Sequence, residues 1–242
     1  MDITKQNIYI NSNGSKIKVE SYFQNNNKCV IIFPPHPKHG GSTDSATVKT
    51  LNKSFLANSF STLCVQLEND QNDEKYSKIT TNILSWLDNN FPVLTEFWVA
   101  GLSFGSWLAV NMVMRRPEIT GFVALGMPTK LYDFSFLLPC SVPGILIQGE
   151  NDKSTDIPYL INIASTLKKR MGDLFHYELI EDADHNLNRL SDLTTIYNIL
   201  SKNIHKICST NKSRELEYLE NNESLTDRKH NSSIIQEEED FV

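Results

Sequence analysis

Apolar positions change their spacing several times along the chain, and the changes predict alternating strands and helices. Short runs that are apolar almost throughout, at 29–33 and 144–148, are typical of strands buried on both faces of a sheet. Residues 44–58 and 157–170 instead carry apolar side chains at helical spacing, which predicts helices with one apolar face. Strands that alternate with helices indicate βαβ units and a mostly parallel sheet.

The beginning of the chain has a different pattern. Residues 7–10 and 16–20 alternate apolar and polar side chains, as half-exposed antiparallel strands do, and a polar turn joins them. They predict an opening hairpin. By the same criteria, further strands are predicted at 60–67, 97–102, 121–125 and 175–180, and further helices at 77–89, about 103–115 and 187–206.

The strand predicted at 97–102 leads into a turn of small residues and then into a helix. Gly101, Ser103 and Gly105 match GxSxG, the nucleophile elbow, in which a serine on a strained strand-to-helix turn exposes its hydroxyl. Glycine is expected at both flanking positions, because strand and helix pass so close that a Cβ would collide with backbone. The pattern predicts Ser103 as a nucleophile.

The partners of Ser103 are expected where parallel strands end, because open sheets bind their ligands outside the carboxyl ends of their strands. One late strand leads to Asp152, and the last strand leads to His185. A serine hydroxyl is a weak nucleophile, a neutral imidazole can take its proton, and a carboxylate can orient the imidazole. We therefore predict Asp152 as the acid and His185 as the base.

Asp156 is the alternative to Asp152. It lies beside Pro158, at the predicted start of a helix, where an aspartate is also a favoured N-cap. Asp152 is preferred because it follows its strand more directly.

An oxyanion hole needs two backbone N–H donors. One is expected from Phe104, the residue after the nucleophile, and the other from the loop at 34–42. Prolines at positions 34, 35 and 37 have no N–H, so His36 and Lys38 are the possible donors at the start of this loop. His36 is preferred, since its flanking prolines would hold the amide in a fixed direction.

Four segments of the chain resemble those of a known bacterial group: 35–37 with Gly40 and Gly41, 101–105, 114–119, and 131–136. They are similar to small predicted α/β-hydrolases related to dienelactone hydrolases and acyl peptidases, over residues 28–190. The resemblance implies a three-layer α/β/α hydrolase fold with a mostly parallel sheet, and the roles already given to Ser103, Asp152 and His185. About 18 residues between two strands, 126–143, are too few for a large cap domain.

The sequence departs from the group in two places. Pro34 replaces the first histidine of the group's HPHP motif, and the acidic stretch 68–74 replaces a basic, glycine-rich turn. Both flank the expected site, so a hydrolase-fold protein without turnover, acting as a binding or scaffold module, is the alternative to an enzyme. The apolar stretch 131–138 is either cover for the core or an acyl pocket.

Composition narrows the possible partners. With 242 residues and 40% apolar content, one domain is expected, at residues 1–208. Five of the six net negative charges lie in residues 209–242, which we predict to be a solvated tail, with partner binding as the alternative. The rest is nearly neutral, which gives no electrostatic case for nucleic acid.

Four scattered cysteines without CxxC spacing indicate reduced thiols, and a polar N-terminus without a long apolar run predicts a cytoplasmic protein with no membrane partner. The histidines show no metal-ligand spacing, and no cofactor is expected. The chain is thus predicted to cleave a carboxylic ester, thioester or related acyl bond of a small molecule through an acyl-enzyme, whereas its oligomeric state stays open.

Overall fold

The computed structural model describes residues 4–12, 15–68, 73–211 and 213. Its strands are β1 (Lys5–Ser12), β2 (Ser15–Tyr22), β3 (Lys28–Phe33), β4 (Ser61–Val65), β5 (Glu96–Leu102), β6 (Ile119–Leu125), β7 (Gly144–Gly149) and β8 (Phe175–Ile180). Its helices are α1 (Ala46–Ala57), α2 (Asp73–Asn90), α3 (Phe104–Arg115), α4 (Ile157–Met171) and α5 (190–211).

These strands form one sheet in the order β1-β2-β4-β3-β5-β6-β7-β8. The pair β1/β2 is antiparallel, and so is β2/β4, whereas all pairs from β4 to β8 are parallel. This confirms the predicted hairpin and the mostly parallel sheet. Burial explains the difference: β3 is buried almost throughout, while β2 alternates between buried and partly exposed residues.

The direction of each crossover places the helices on the two faces of the sheet. The chain moves through α1 from β3 to the neighbouring β4, and through α3 from β5 to β6, in the opposite direction across the sheet. Because such crossovers are right-handed, α1 and α3 lie on opposite faces. The packing of α2 against α3 agrees with this arrangement, since α2 also moves the chain toward β8.

Two helices differ in extent from the prediction. Helix α2 begins at 73 instead of 77. Helix α5 runs from 190 to 211 instead of from 187 to 206, and its buried face extends through Ile204 and Ile207. The domain boundary predicted at 208 falls within α5. Residues 214–242, the larger part of the predicted tail, lie outside the described residues, as do 69–72 of the acidic stretch.

No large cap covers the carboxyl edge of the sheet within the described ranges. The connection between β6 and β7 holds one short 3-10 helix, Ser135–Leu137. Phe134 and Leu137 are buried in the core, which ties this connection down against the domain. Among the helices that the structure describes, none combines the length and the apolar character needed to cross a bilayer.

Candidate active site

The turn between β5 and α3 has the strained backbone that the sequence pattern predicts. Ser103 has φ 58° and ψ −122°, in the half of backbone space that L-residues other than glycine seldom occupy. A Cβ at Gly101 would overlap the carbonyl of Gly105, and a Cβ at Gly105 would overlap the carbonyl of Phe33. The predicted need for two glycines is therefore confirmed.

The Ser103 hydroxyl does not cap α3, the helix that follows it. Serine at an N-cap usually accepts a hydrogen bond from the first turn, but Ser103 makes no such bond. Its Oγ lies instead 2.8 Å from Nε2 of His185. The Ser103 amide donates to the carbonyl of Leu125 at the end of β6, at 2.9 Å, which fixes the turn against the neighbouring strand.

The other ring nitrogen of His185 faces a carboxylate. Nδ1 lies 2.7 Å from Oδ2 of Asp152, and a carboxylate can only accept, so Nδ1 carries the proton and donates it. In the neutral ring, Nε2 is then free to accept the hydroxyl proton of Ser103. The structure thus brings three predicted residues into one line of hydrogen bonds.

Asp152 is held in a buried, fully hydrogen-bonded position. Its side chain is inaccessible to solvent, and Oδ1 accepts from both the amide (2.8 Å) and the hydroxyl (2.6 Å) of Ser154. Oδ2 also accepts from Gln148 Nε2 at 2.6 Å. Burial by itself would raise the pKa of Asp152, but the hydrogen bonds from His185 and Ser154 outweigh it and hold that pKa well below the usual range.

Sequence reasoning missed the residues that hold Asp152. Gln148 and Thr155 both bond its Oδ2 and tie it to Met127, whose amide donates to Gln148 Oε1 at 2.8 Å. Ser154 Oγ also lies 2.9 Å from Nδ1 of His185, so the proton on Nδ1 can be shared between this hydroxyl oxygen and the carboxylate of Asp152. A glutamine at the end of an otherwise apolar, buried strand was the one sequence signal of this network.

Asp156 is placed differently. It is exposed and stands at the N-cap of α4, where its side chain accepts from the amide of Tyr159 at 3.1 Å. The capping role considered for it is confirmed, and its described hydrogen bonds do not reach His185.

The loop that carries His185 is tied to α1. Thr47, a buried residue of that helix, donates its hydroxyl between the carbonyls of Asn186 (2.8 Å) and Leu187 (3.0 Å). On the opposite side, a Cβ at Gly126 would come within 2.9 Å of the His185 carbonyl. The loop is therefore packed between helix α1 and the end of β6.

The amides of Phe104 and His36, both near the elbow, lack an acceptor among the described residues. Phe104 is the first residue of α3, where N–H groups have no partner inside the helix. The peptide bond between Pro35 and His36 is trans, and the Pro35 carbonyl is directed toward Gly41. A Cβ at Gly41 would overlap that carbonyl. The His36 N–H, antiparallel to that carbonyl, points away from Gly41.

The ring of His36 is fixed by its own contacts. Nδ1 accepts from the amide of Lys38 at 3.1 Å, so in the neutral ring Nε2–H faces the hydroxyl of Tyr76 at 3.0 Å. Burial, with smaller contributions from Lys38 and His39, lowers the pKa of His36 and favours this neutral form. The His36 ring also meets the ring of Phe104, with their centroids 4.9 Å apart. These contacts pack the side chains of the two residues with unpartnered amides against each other.

Aromatic side chains line the α3 side of the elbow. The ring of Phe104 stacks on that of Trp107 at 5.8 Å and meets that of Tyr132 at 5.6 Å, and Trp107 and Tyr132 also touch. The stretch 131–138 is thus divided: Phe134 belongs to the core, whereas Tyr132 faces the elbow. Trp107, one helical turn beyond Ser103, could have been found from its spacing alone.

Within the described ranges, no three or more histidine, cysteine, aspartate or glutamate side chains are grouped so that they could hold a metal ion. All four cysteines are free thiols, and three of them are buried.

Comparison with known proteins gives a relative in sequence and several in structure. No protein-family model matches the chain. An uncharacterized protein of Rickettsia prowazekii (strain Madrid E), RP471, is 30% identical over 190 residues, which are 72% of this chain and 79% of that protein.

Solved structures show the same fold. ATU1826 of Agrobacterium tumefaciens, a protein of unknown function assigned to the α/β-hydrolases, is 26% identical with a TM-score of 0.75, over 85% of this chain and 97% of that one. XC6422 of Xanthomonas campestris, an α/β serine hydrolase without a lid, is 15% identical with a TM-score of 0.70, over 85% of this chain and 96% of that one.

Proposed function

The chain belongs to the α/β-hydrolase superfamily, and from this membership we propose that it is a serine hydrolase that cleaves a carboxylic ester or related acyl bond. The observation that carries the proposal is the line of hydrogen bonds from Ser103 Oγ to His185 Nε2, at 2.8 Å, and from His185 Nδ1 to Asp152 Oδ2, at 2.7 Å. A nucleophile, a base and a carboxylate in this order can activate a hydroxyl.

In the first half-reaction, His185 Nε2 takes the proton of the Ser103 hydroxyl while Oγ attacks the acyl carbon. The bond from that carbon to the leaving group then breaks, and the proton on Nε2 passes to the leaving group. In the second half, water attacks the acyl-enzyme with His185 again as base. The products are a carboxylic acid, the protonated leaving group and free Ser103.

The amides of Phe104 and His36 are the proposed oxyanion donors. Neither has an acceptor among the described residues, and the first-turn amides at the start of α3 favour negative charge through the helix dipole. The fixed prolines and the closed turn beyond His36 keep its amide oriented before a substrate arrives. Buried Asp152 stabilises the imidazolium that forms on His185.

A fluorophosphonate probe tests the proposal, because it reacts with an activated serine. We expect one probe per chain on Ser103 by mass spectrometry, and Ser103→Ala should lose both labelling and hydrolysis of activated esters. Ser191→Ala, at an exposed serine of α5, is the matched control and should keep both. A folded wild type that is neither labelled nor active would favour the binding or scaffold protein.

A further inference from the structure

A cavity of about 360 Å³ opens on the α1 side of the elbow. Leu102, Pro35 and Asn186 line it, and each is the immediate chain neighbour of a residue proposed above, respectively the nucleophile, an oxyanion donor and the base. We call it the α1-side cavity. Its other walls come from the start of α1 and from the loop before it, which places it on the face of the sheet opposite to α3.

The α3 side of the elbow has a different chemistry. Phe104, Trp107 and Tyr132, which we call the aromatic wall, form a continuous set of ring contacts there. Trp107 and Tyr132 are only partly buried, so their rings remain accessible. The elbow thus has a cavity without carboxylate, lysine or arginine side chains on one side and an aromatic surface on the other.

The direction of proton transfer decides which part of a substrate goes to which side. In the tetrahedral intermediate, the leaving group has to lie within hydrogen-bond reach of His185 Nε2, which gives it a proton. The loop that continues from His185 through Asn186 forms a wall of the α1-side cavity and is anchored to α1 by Thr47. The acyl chain is then left the opposite direction, toward the aromatic wall.

We propose that the α1-side cavity binds the leaving group of the substrate and that the aromatic wall receives its acyl chain, an inference that rests on the proposed function. The ten residues that line the cavity include no aspartate, glutamate, lysine or arginine. Its side-chain polar groups are neutral amides such as those of Asn186 and Asn188, together with Ser45 and His39. A neutral alcohol fits this lining, whereas a phosphate-bearing thiol would find no lysine or arginine side chain there.

Two ester series separate the two sides. One series keeps acetate and changes the alcohol from methyl to butyl to benzyl, and the other keeps methanol and changes the acid from acetate to butyrate to octanoate. Ala46 is exposed at the start of α1 and lines the cavity, so Ala46→Trp should fill it without disturbing the core. We expect the kcat/KM ratio of benzyl to methyl acetate to fall at least about tenfold, with the octanoate-to-acetate ratio unchanged.

Trp107→Ala should do the reverse, lowering the octanoate-to-acetate ratio at least about tenfold and leaving the alcohol series unchanged. Lys53→Trp adds the same side chain to an exposed position of α1 outside the cavity, and both ratios should stay at their wild-type values. Each ratio is measured within one variant, so partial unfolding cancels.

Other outcomes overturn the assignment. If Ala46→Trp changes the acyl series, changes neither series, or behaves like Lys53→Trp, the cavity does not bind the leaving group. If the wild type takes up fluorophosphonate on Ser103 and its Ala46→Trp variant behaves in one of these ways, only the present inference is refuted. A wild type that is not labelled and cleaves no ester refutes the proposed function together with it.

Discussion

The elbow around Ser103 and the loops that carry Asp152 and His185 position their side chains by different means. The elbow relies mainly on backbone: a positive φ, two glycines without room for a Cβ, and main-chain contacts with neighbouring strands, to which Ser106 adds one side-chain hydrogen bond to the Ser103 carbonyl. The acid and the base lie in loops whose positions depend on side-chain hydrogen bonds, above all those of Gln148 and Ser154. Backbone geometry leaves a motif in the sequence, whereas a side-chain network assembled from several loops does not.

The largest expected effect comes from the side-chain network. Asp152→Asn should keep the fold but leave His185 without a charged acceptor and with the wrong tautomer. We expect kcat on an activated ester to fall on the order of 10⁴-fold, as in the general serine-protease example of this substitution. Asp156→Asn is the matched control, and it should retain wild-type activity because asparagine caps a helix about as well as aspartate. A dead Asp156→Asn beside an active Asp152→Asn would reverse the assignment.

The elbow should fail through stability. Gly105→Ala adds a Cβ that overlaps the carbonyl of Phe33, which belongs to a central strand and cannot move away. We expect the free energy of unfolding in urea to fall by about 3 kcal/mol or more. Gly40→Ala, where no atom lies within 4 Å of the new Cβ and the backbone is in the left-handed α region (φ 75°, ψ 14°), should cost only the strain of its positive φ, about 1 kcal/mol. Equal losses in the two variants would mean that the elbow is not close-packed.

Lowering the pH should reduce the stability that the hydrogen-bond network of Asp152 contributes, and it should not affect the elbow. The pKa of Asp152 is lowered in the folded protein, against about 3.9 in an unfolded chain, so its ionised form stabilises the fold fully above that value. This contribution is lost as pH falls through the lower, folded pKa. The stability difference between wild type and Asp152→Asn should therefore shrink below about pH 4, by at most about 1.4 kcal/mol per pH unit. A difference that stays constant from pH 5 to pH 2 would contradict it.

The smallest effect is expected at Ser154. Ser154→Ala removes the hydroxyl that donates to Asp152 Oδ1 and lies 2.9 Å from His185 Nδ1, but it leaves the backbone donor in place. We expect kcat to fall roughly tenfold, consistent with the loss of one hydrogen bond to a charged group. Ser154→Thr keeps a hydroxyl and should restore most of the rate. An unchanged kcat in the alanine variant would show that Asp152 and His185 hold each other without Ser154.

The periodicity of apolar residues was sufficient for the order of strands and helices. Buried parallel strands and one-faced helices differ in spacing, so the hairpin, the βαβ units and the strand ends near Asp152 and His185 could be predicted from the chain itself. The GxSxG motif could also be recognised from the sequence, because its glycines meet a steric requirement of the backbone that lies within five consecutive residues. What periodicity did not give was the extent of α5 past 206, since the polar residues beyond Ile207 continue a helix whose buried face anchors it.

The tertiary structure alone decided how the pieces of the site meet. The side chains of Gln148, Thr155 and Ser154 come together only when β7 and the loop after it fold around the carboxylate of Asp152. Their hydrogen bonds, of 2.6 to 3.1 Å, cannot be inferred from spacing along the chain. The same holds for the two sides of the elbow. Trp107 and Tyr132 are 25 positions apart in the sequence, and Ala46 and Asn186 are farther apart still. Each pair comes together only in the assembled sheet, where right-handed crossovers place the two pairs on opposite sides of the elbow.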